Sequence, residues 1–106
     1  MTGEFKVRYT ETARDDLLRL FDFLLDRAQT VEDFDAVQDA IDAIKSEVEG
    51  QLGRSPFIYR KVGQSPFRRE LIIPLRASGY VVPYEIEGGS TVNIVAVRHQ
   101  LEDDYH

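Results

Sequence analysis

The residues that could carry chemistry form two groups, one near the middle of the chain and one near its end. The central group is a cluster of cations opposed by one carboxylate, Glu70. Its members are Arg54, Arg60, Lys61, Arg68, Arg69 and Arg76. The second group is Arg98 and His99, followed by Tyr105. Guanidinium and ammonium groups stabilise negative charge, so both groups are suited to an anionic substrate or partner.

Together these side chains are of the types that cleavage of a phosphodiester requires. Lysine and arginine would stabilise charge on the phosphate, while histidine or tyrosine would move protons. The candidates for such a nuclease site are Lys61, Arg69, Arg98, His99 and Tyr105. A histidine that ends a strand more often only forms hydrogen bonds, and terminal residues are often loosely held. No catalytic residue is therefore assigned from the sequence.

The sequence contains no stronger catalytic motif. It has no phosphate-binding loop, no nucleophile elbow and no HExxH sequence. The absence of cysteine excludes disulfides and thiolate metal sites, and two histidines are too few for a histidine-built metal site. Only carboxylates remain as ligands for a hard cation. We expect a protein without a cofactor and without a bound metal.

Length and charge narrow the class of protein. A chain of 106 residues can bury one core, so we expect a single domain over residues 1–106. The net charge of −6 opposes nonspecific binding to nucleic acid, although the central cations could still contact one anionic partner. No apolar run approaches the ~18 residues of a membrane span, and the first residues show no apolar targeting segment. We expect a cytoplasmic protein.

Three predicted strands between Phe67 and His99 position both groups. Apolar and polar residues alternate there with period two, which is typical of half-buried strands. The apolar positions are Phe67, Leu71, Ile73 and Leu75, then Tyr80, Val82, Tyr84 and Ile86, then Val92, Ile94 and Ala96, with Val95 and Val97 on the other side. Glycines in the links Ala77–Gly79 and Gly88–Ser90 permit tight reversals. The pattern predicts a three-stranded antiparallel meander with one face on the core.

Arg69 is unusual in this pattern because it shares the apolar side of its strand with Leu71 and Ile73. A guanidinium on a buried face must find a carboxylate, a carbonyl or an external anion. Glu85 or Glu87 on the next strand could form an internal ion pair. The alternative is a site for an anion or a partner.

Two amphipathic helices precede the meander, after an opening strand at residues 4–9. Thr10 or Thr12 can cap the first helix, which should run to about Arg27. Thr30 with Asp33 predicts the start of the second helix, and Gly53 its end. Its apolar stripe is Phe34, Val37, Ile41, Ile44, Val48 and Leu52. The fold class is therefore α+β, with an N-terminal strand, a helical hairpin and the meander.

The first helix carries more large apolar groups than one core stripe needs. Leu18 and Leu25 lie just beyond the stripe, and Phe23 lies on its far side. Either the helix is buried on two sides within its own domain, or a partner covers this flank. Pro74 and Pro83 lie inside strand patterns and mark an edge or a bulge, where a partner strand could be added.

The order of these features resembles the RelE/ParE superfamily of bacterial type II toxins, and more closely its ParE branch. The residues that carry the resemblance are Val7 to Thr10, Ala13, Asp16-Leu17, Arg69-Glu70-Leu71, Tyr80 to Tyr84, Ile86, Val92, Ile94 to His99, and Asp104-Tyr105. They span nearly the whole chain. The resemblance implies a helical hairpin on an antiparallel sheet, and a cognate antitoxin whose C-terminal segment wraps the toxin.

Members of this superfamily differ in their targets. ParE-like proteins inhibit DNA gyrase without being enzymes, whereas RelE-like proteins cut mRNA on the ribosome. This chain is acidic, has Gln100 where many relatives have arginine, and has a nearly isolated Lys61, which favours the ParE-like function. A nuclease or a non-toxic interaction module remains the alternative. The residues expected to bind partners are Leu18, Phe23, Leu25, Arg69, Arg76, Pro74 and Pro83.

Overall fold

The computed structural model describes residues 4–75 and 78–99. In chain order, its elements are β1 Lys6–Tyr9, α1 Glu11–Asp26, α2 Val31–Arg54, β2 Arg60–Lys61, β3 Arg68–Leu75, β4 Ser78–Glu87, β5 Thr91–Ile94 and β6 Arg98–His99. The predicted α+β class is confirmed, with an N-terminal strand, a helical hairpin and then antiparallel strands. None of the described helices is long and apolar enough to cross a membrane.

The described strands form one sheet in the order β1-β5-β4-β3-β2, with β6 also paired to β4. β3, β4 and β5 are the predicted meander, and Gly88 and Gly89 take positive φ angles of 64° and 78° in its second turn. β1 lies parallel to β5 at the edge, so the two ends of the domain meet in the sheet. After α2, the two-residue strand β2 pairs antiparallel with β3 through Arg60–Glu70 and Lys61–Arg69.

Both helices begin at threonine caps. Thr10, rather than Thr12, caps α1, and its hydroxyl accepts from the Ala13 N–H at 3.2 Å. Thr30 and Asp33 form the predicted capping box of α2. The prediction that Gly53 stops α2 is wrong, because α2 continues through Arg54 and Ser55 is its C-cap. Its last turn is held by the residue before β1, because the Phe5 N–H donates to the Gly53 carbonyl at 2.7 Å.

The core lies between the helical hairpin and one face of the sheet. It includes Leu20 of α1, the α2 stripe from Val37 to Leu52 and the inward residues of β3 to β5. Phe34 does not belong to it, since the buried stripe of α2 begins one turn later. Phe5, which precedes β1, and Val7 and Tyr9 of β1 pack against the core from the edge of the sheet.

The third strand of the meander is interrupted, which its alternation did not predict. Tyr84 pairs with Ile94 and Val81 with Arg98, so β5 and β6 have one extra residue between them relative to β4. Proline has no N–H to continue the ladder, and the Pro83 carbonyl instead accepts from the Val95 N–H at 2.9 Å. The extra residue therefore forms a bulge opposite Pro83.

Candidate functional site

Arg69 is the central side chain of the basic group and is only 8% exposed. Its Nη1 donates to the carbonyl oxygens of Phe57 at 2.8 Å and Tyr59 at 2.9 Å, and its Nε donates to that of Pro66 at 2.9 Å. The guanidinium carbon also lies 5.5 Å from the centre of the Phe57 ring. Arg69 thus holds the loop between α2 and β3 against the sheet.

The ion pair considered for Arg69 does not form. Arg69 is paired with Tyr84, so Glu85 and Glu87 are on the opposite face of β4 because side chains alternate along a strand. Glu85 instead lies 3.5 Å from Arg68, its register partner. Of the three partner types expected for a buried guanidinium, the carbonyl is the one found.

Two tyrosines fix the same loop. The buried Tyr84 hydroxyl donates to the Pro56 carbonyl at 2.6 Å, and the Tyr59 hydroxyl donates to Gln51 Oε1 at 2.6 Å. Burial raises the pKa of Tyr84 well above its ordinary value, against the opposing effect of the nearby Arg69 cation. Sequence reasoning placed Tyr84 in the core but missed this anchoring role, which depends on a loop 28 residues away.

His99 is enclosed at the other end of the sheet and is only 4% exposed. The Tyr80 ring lies 5.0 Å from its ring centre in an edge arrangement, and the Phe23 ring lies 5.8 Å away. Phe23 is therefore not on the far side of α1, because it packs against the end of the sheet of its own domain. The guanidinium of Arg27 covers Phe23 at 4.5 Å.

The nuclease candidates fall into two separate places in the described structure: Lys61 is the register partner of Arg69, whereas Arg98 and His99 form β6 on the other side of β4. Arg69 pairs with Tyr84 on one side of β4, whereas His99 pairs with Tyr80 on the other side, four residues along. Strand spacings place their Cα atoms ~16 Å apart. Lys61 is exposed on β2, and Arg98 is exposed on β6. Tyr105 lies outside the described residues.

A groove of about 440 Å³ runs between α1 and α2. Its apolar floor is Leu17, Leu18, Phe21 and Ile41, and Arg14, Gln38 and Lys45 form its polar border. Leu18, predicted to bind a partner, is 65% exposed here. Leu25 is half-buried.

The remaining predicted partner residues lie in three different settings. Pro74 is exposed on β3. Among the described strands, β2 pairs with the outer edge of β3 only at Arg69 and Glu70, so the edge beyond Glu70 is uncovered there. The exposed Ile72 lies beside it on this uncovered edge. Pro83 is half-buried at the bulge. Arg76 lies outside the described residues.

Comparisons with known proteins address the family and the fold. The family model of the ParE toxin of the type II toxin–antitoxin system, parDE, matches residues 7–104. No curated protein matches the chain by sequence. A solved chain of the chromosomal ParDE toxin–antitoxin system from P. aeruginosa has a similar fold, with a TM-score of 0.69 and 15% identity, over 92% of this chain and 98% of that chain.

A second solved chain with a similar fold comes from the toxin–antitoxin complex RelBE2 of Mycobacterium tuberculosis. Its TM-score is 0.61 at 22% identity, covering 93% of this chain and 94% of that chain. At such identities the two structures show the shared fold alone. The family match is broader evidence because it spans all the described elements except the start of β1. The resemblance drawn from the sequence is confirmed, and the chain belongs to the ParE toxin family of type II toxin–antitoxin systems.

Proposed function

We propose that this protein acts in the cytoplasm by binding and inhibiting DNA gyrase, and that a cognate antitoxin neutralises it. The match to the ParE toxin family over residues 7–104 is the observation that carries this proposal. The ParE-like members inhibit gyrase by binding rather than by catalysis. The consequence for a cell that produces the toxin alone is growth arrest.

The placement of the basic residues supports a function without catalysis. Arg69 donates to three carbonyl oxygens and is buried, so its donors serve the loop rather than a phosphate. His99 is enclosed by two aromatic rings. A general base must lie within hydrogen-bond reach of the group that it deprotonates. These contacts do not favour the alternative of an mRNA endonuclease.

The groove between α1 and α2 supports binding of an antitoxin. An amphipathic helix would place its apolar side on Leu17, Leu18 and Phe21, with acidic flanks toward Arg14 and Lys45. The uncovered edge of β3 around Ile72 could accept an extended segment of the same partner. The similar chains from P. aeruginosa and M. tuberculosis both belong to toxin–antitoxin systems, which agrees with such a partner.

The first experiment induces this chain alone in a bacterial host that carries a DNA-damage reporter. Growth arrest with the reporter active is the expected result, and the purified protein should then inhibit supercoiling by DNA gyrase. Growth arrest with a silent reporter would contradict gyrase inhibition and would lead to mapping of mRNA ends, with Tyr105→Phe as the test of the nuclease. Normal growth would identify a non-toxic interaction module.

A second experiment tests the antitoxin groove. Leu18→Glu should weaken binding of the cognate antitoxin at least about tenfold, because a charge would replace an apolar contact. Val31→Glu is the matched control, since Val31 is 74% exposed and lies outside the groove. Equal affinities of both variants would show that the antitoxin docks elsewhere. Melting temperatures of both variants would verify that they fold.

A further inference from the structure

The charge of this protein is strongly segregated along the chain. Residues 54–69 contain five lysines and arginines and no carboxylate. The other 90 residues carry eight cations and all nineteen carboxylates, which is a net charge of −11. A cationic segment on an acidic protein produces a local potential that attracts an acidic surface while the rest of the molecule repels it. The segment can therefore select the orientation in which a partner approaches.

The same segment also exposes large apolar side chains. Ile58 is 72% exposed, and Phe57, Val62 and Phe67 are exposed as well. Phe57 and Ile58 lie in the turn before β2, and Val62 follows β2 directly. We define the β2 surface as Phe57, Ile58, Lys61 and Val62. Apolar groups concentrated next to cations mark an interaction surface rather than a solvated loop.

The β2 surface is held in place by contacts to the rest of the domain. Arg69 binds the carbonyl oxygens on both sides of Ile58, and the Val62 N–H donates to the Arg68 carbonyl at 2.8 Å. The Phe57 ring packs edge-on against Phe5 with ring centres 6.1 Å apart. A surface that is ordered before binding loses less conformational entropy when a partner docks. Arg69 thus fixes the loop that carries these side chains.

The free charge of this surface is concentrated on Lys61. Arg60 pairs with Glu70 and Arg68 pairs with Glu85, whereas Lys61 has no ion pair within residues 4–75 and 78–99. Lys61 is the register partner of Arg69, so it lies on the same face of the sheet as the guanidinium that contacts Phe57. One ammonium group without an ion pair in the described residues therefore lies on the Arg69 face, next in the chain to the exposed Val62.

We propose that the β2 surface is the target-binding surface of this toxin, and that it docks on a protein surface where carboxylates border an apolar depression. A protein is favoured over a nucleic acid because Ile58 and Val62 are aliphatic and two of the neighbouring cations are already neutralised. The surface shares no residue with the groove between α1 and α2. The inference rests on the proposed function in taking DNA gyrase as the target.

The test compares two variants of the β2 surface with two matched controls. Ile58→Asp is paired with Val31→Asp, which changes an equally exposed aliphatic residue on α2. Lys61→Glu is paired with Lys6→Glu, which reverses an exposed charge on β1 at the opposite edge of the sheet. Each full-length protein is assayed for binding to immobilised gyrase, for growth arrest and for thermal unfolding. We expect Ile58→Asp and Lys61→Glu to weaken binding and toxicity at least about tenfold, and the controls less than about twofold.

The outcomes separate this inference from the proposed function. If the unmodified protein binds gyrase and both β2 variants bind equally well, the β2 surface is not the target-binding surface, but the proposed function stands. Growth arrest that the β2 variants abolish, without any binding to gyrase, would retain the surface and reject gyrase as the target. If the unmodified protein shows neither binding to gyrase nor growth arrest, both the inference and the proposed function are rejected. Tight binding to a single-stranded oligonucleotide that Lys61→Glu abolishes would overturn the assignment of a protein partner.

Discussion

Arg69 shows how one buried cation can organise a loop instead of a catalytic site. Its three hydrogen bonds go to carbonyl oxygens of Phe57, Tyr59 and Pro66, within a segment that has little regular structure of its own. Carbonyls in such a segment lack the partners that a helix or a sheet would provide. The guanidinium fork supplies several donors at fixed angles, which an ammonium group cannot reproduce.

Replacing Arg69 with methionine should lower the free energy of unfolding by about 2–4 kcal/mol, because three carbonyls lose a charged donor. Arg68→Met is the matched control, since the Arg68 side chain is 66% exposed and should change the free energy by less than about 0.5 kcal/mol. Urea denaturation measures both. Equal unfolding midpoints would contradict the structural role. A toxic effect lost at unchanged stability would instead indicate direct contact with the target.

Tyr84 and Tyr9 should make the protein sensitive to alkaline pH. Burial raises the pKa of both tyrosines above the ordinary value of 10.0, and the hydrogen bond from Tyr9 to Glu49 adds to the effect at that residue. The folded state therefore keeps its phenolic protons where the unfolded state releases them. Stability is fully present below about pH 10 and is lost as the pH rises above it.

The measurement is the free energy of unfolding at several values between about pH 8 and about pH 11. Tyr84→Phe should be less stable at neutral pH by about 1–3 kcal/mol, because the Pro56 carbonyl loses its donor. The same variant should lose less stability than the unmodified protein on the alkaline side. Parallel curves for the two proteins would refute the contribution of Tyr84.

At the scale of elements, α1 is hydrogen-bonded to β5 and to the residues after the bulge, which lie more than 80 residues later in the chain. The Thr10 hydroxyl caps α1 and also donates to the Ile94 carbonyl at 2.7 Å. Six residues later, Asp16 Oδ2 accepts from the Val97 N–H at 3.0 Å, while Asp16 pairs with Arg19. The bulge opposite Pro83 would otherwise leave the buried Val97 N–H without a partner. α1 thus stabilises the irregular part of the sheet.

Thr10→Ala should destabilise the protein by about 1–2 kcal/mol, because both the cap and the donor to Ile94 are lost. Thr12→Ala provides the comparison, since Thr12 is exposed within the first turn and is not the cap. It should change stability by less than about 0.5 kcal/mol. A larger loss in Thr12→Ala would show that α1 begins two residues later than in the structure.

At the scale of the molecule, the helical hairpin carries most of the excess negative charge. Residues 11–54 contain twelve carboxylates and five cations. Repulsion among like charges on one compact layer destabilises the folded state and is screened by salt. The cationic residues 54–69 begin where this acidic layer ends in the chain, so opposite charges are concentrated in two successive segments.

Raising sodium chloride from about 0.02 M to about 0.5 M should raise the melting temperature by a few degrees, about 2–5 °C, since screening relieves this repulsion. Asp35 and Asp39 are both exposed on α2. A variant with Asp35→Lys and Asp39→Lys should show a smaller rise in melting temperature for the same increase in salt. Differential scanning fluorimetry measures the shift. A fall in melting temperature would show that attraction in pairs such as Arg60–Glu70 outweighs the repulsion.

Most of the elements and the family could be predicted from the sequence because their causes are local. Thr30 and Asp33 lie within one helical turn of each other. Leu71 and Ile73 share one face of β3 because side chains alternate along any strand. The basic group was visible for the same reason. The exposed flank at Leu18 followed from helical periodicity alone.

The tertiary structure decided everything that depends on residues far apart in the chain. β1 joins β5 across more than 80 residues, and the bulge exists because Pro83 of one strand faces Val95 of another. Arg69 donates to loop carbonyls and not to Glu85, because the strand register places that carboxylate on the other face of the sheet. His99 became a core residue only when Tyr80 and Phe23 enclosed it. Local patterns determine which elements form, but partner choice requires the register and packing that only the folded chain provides.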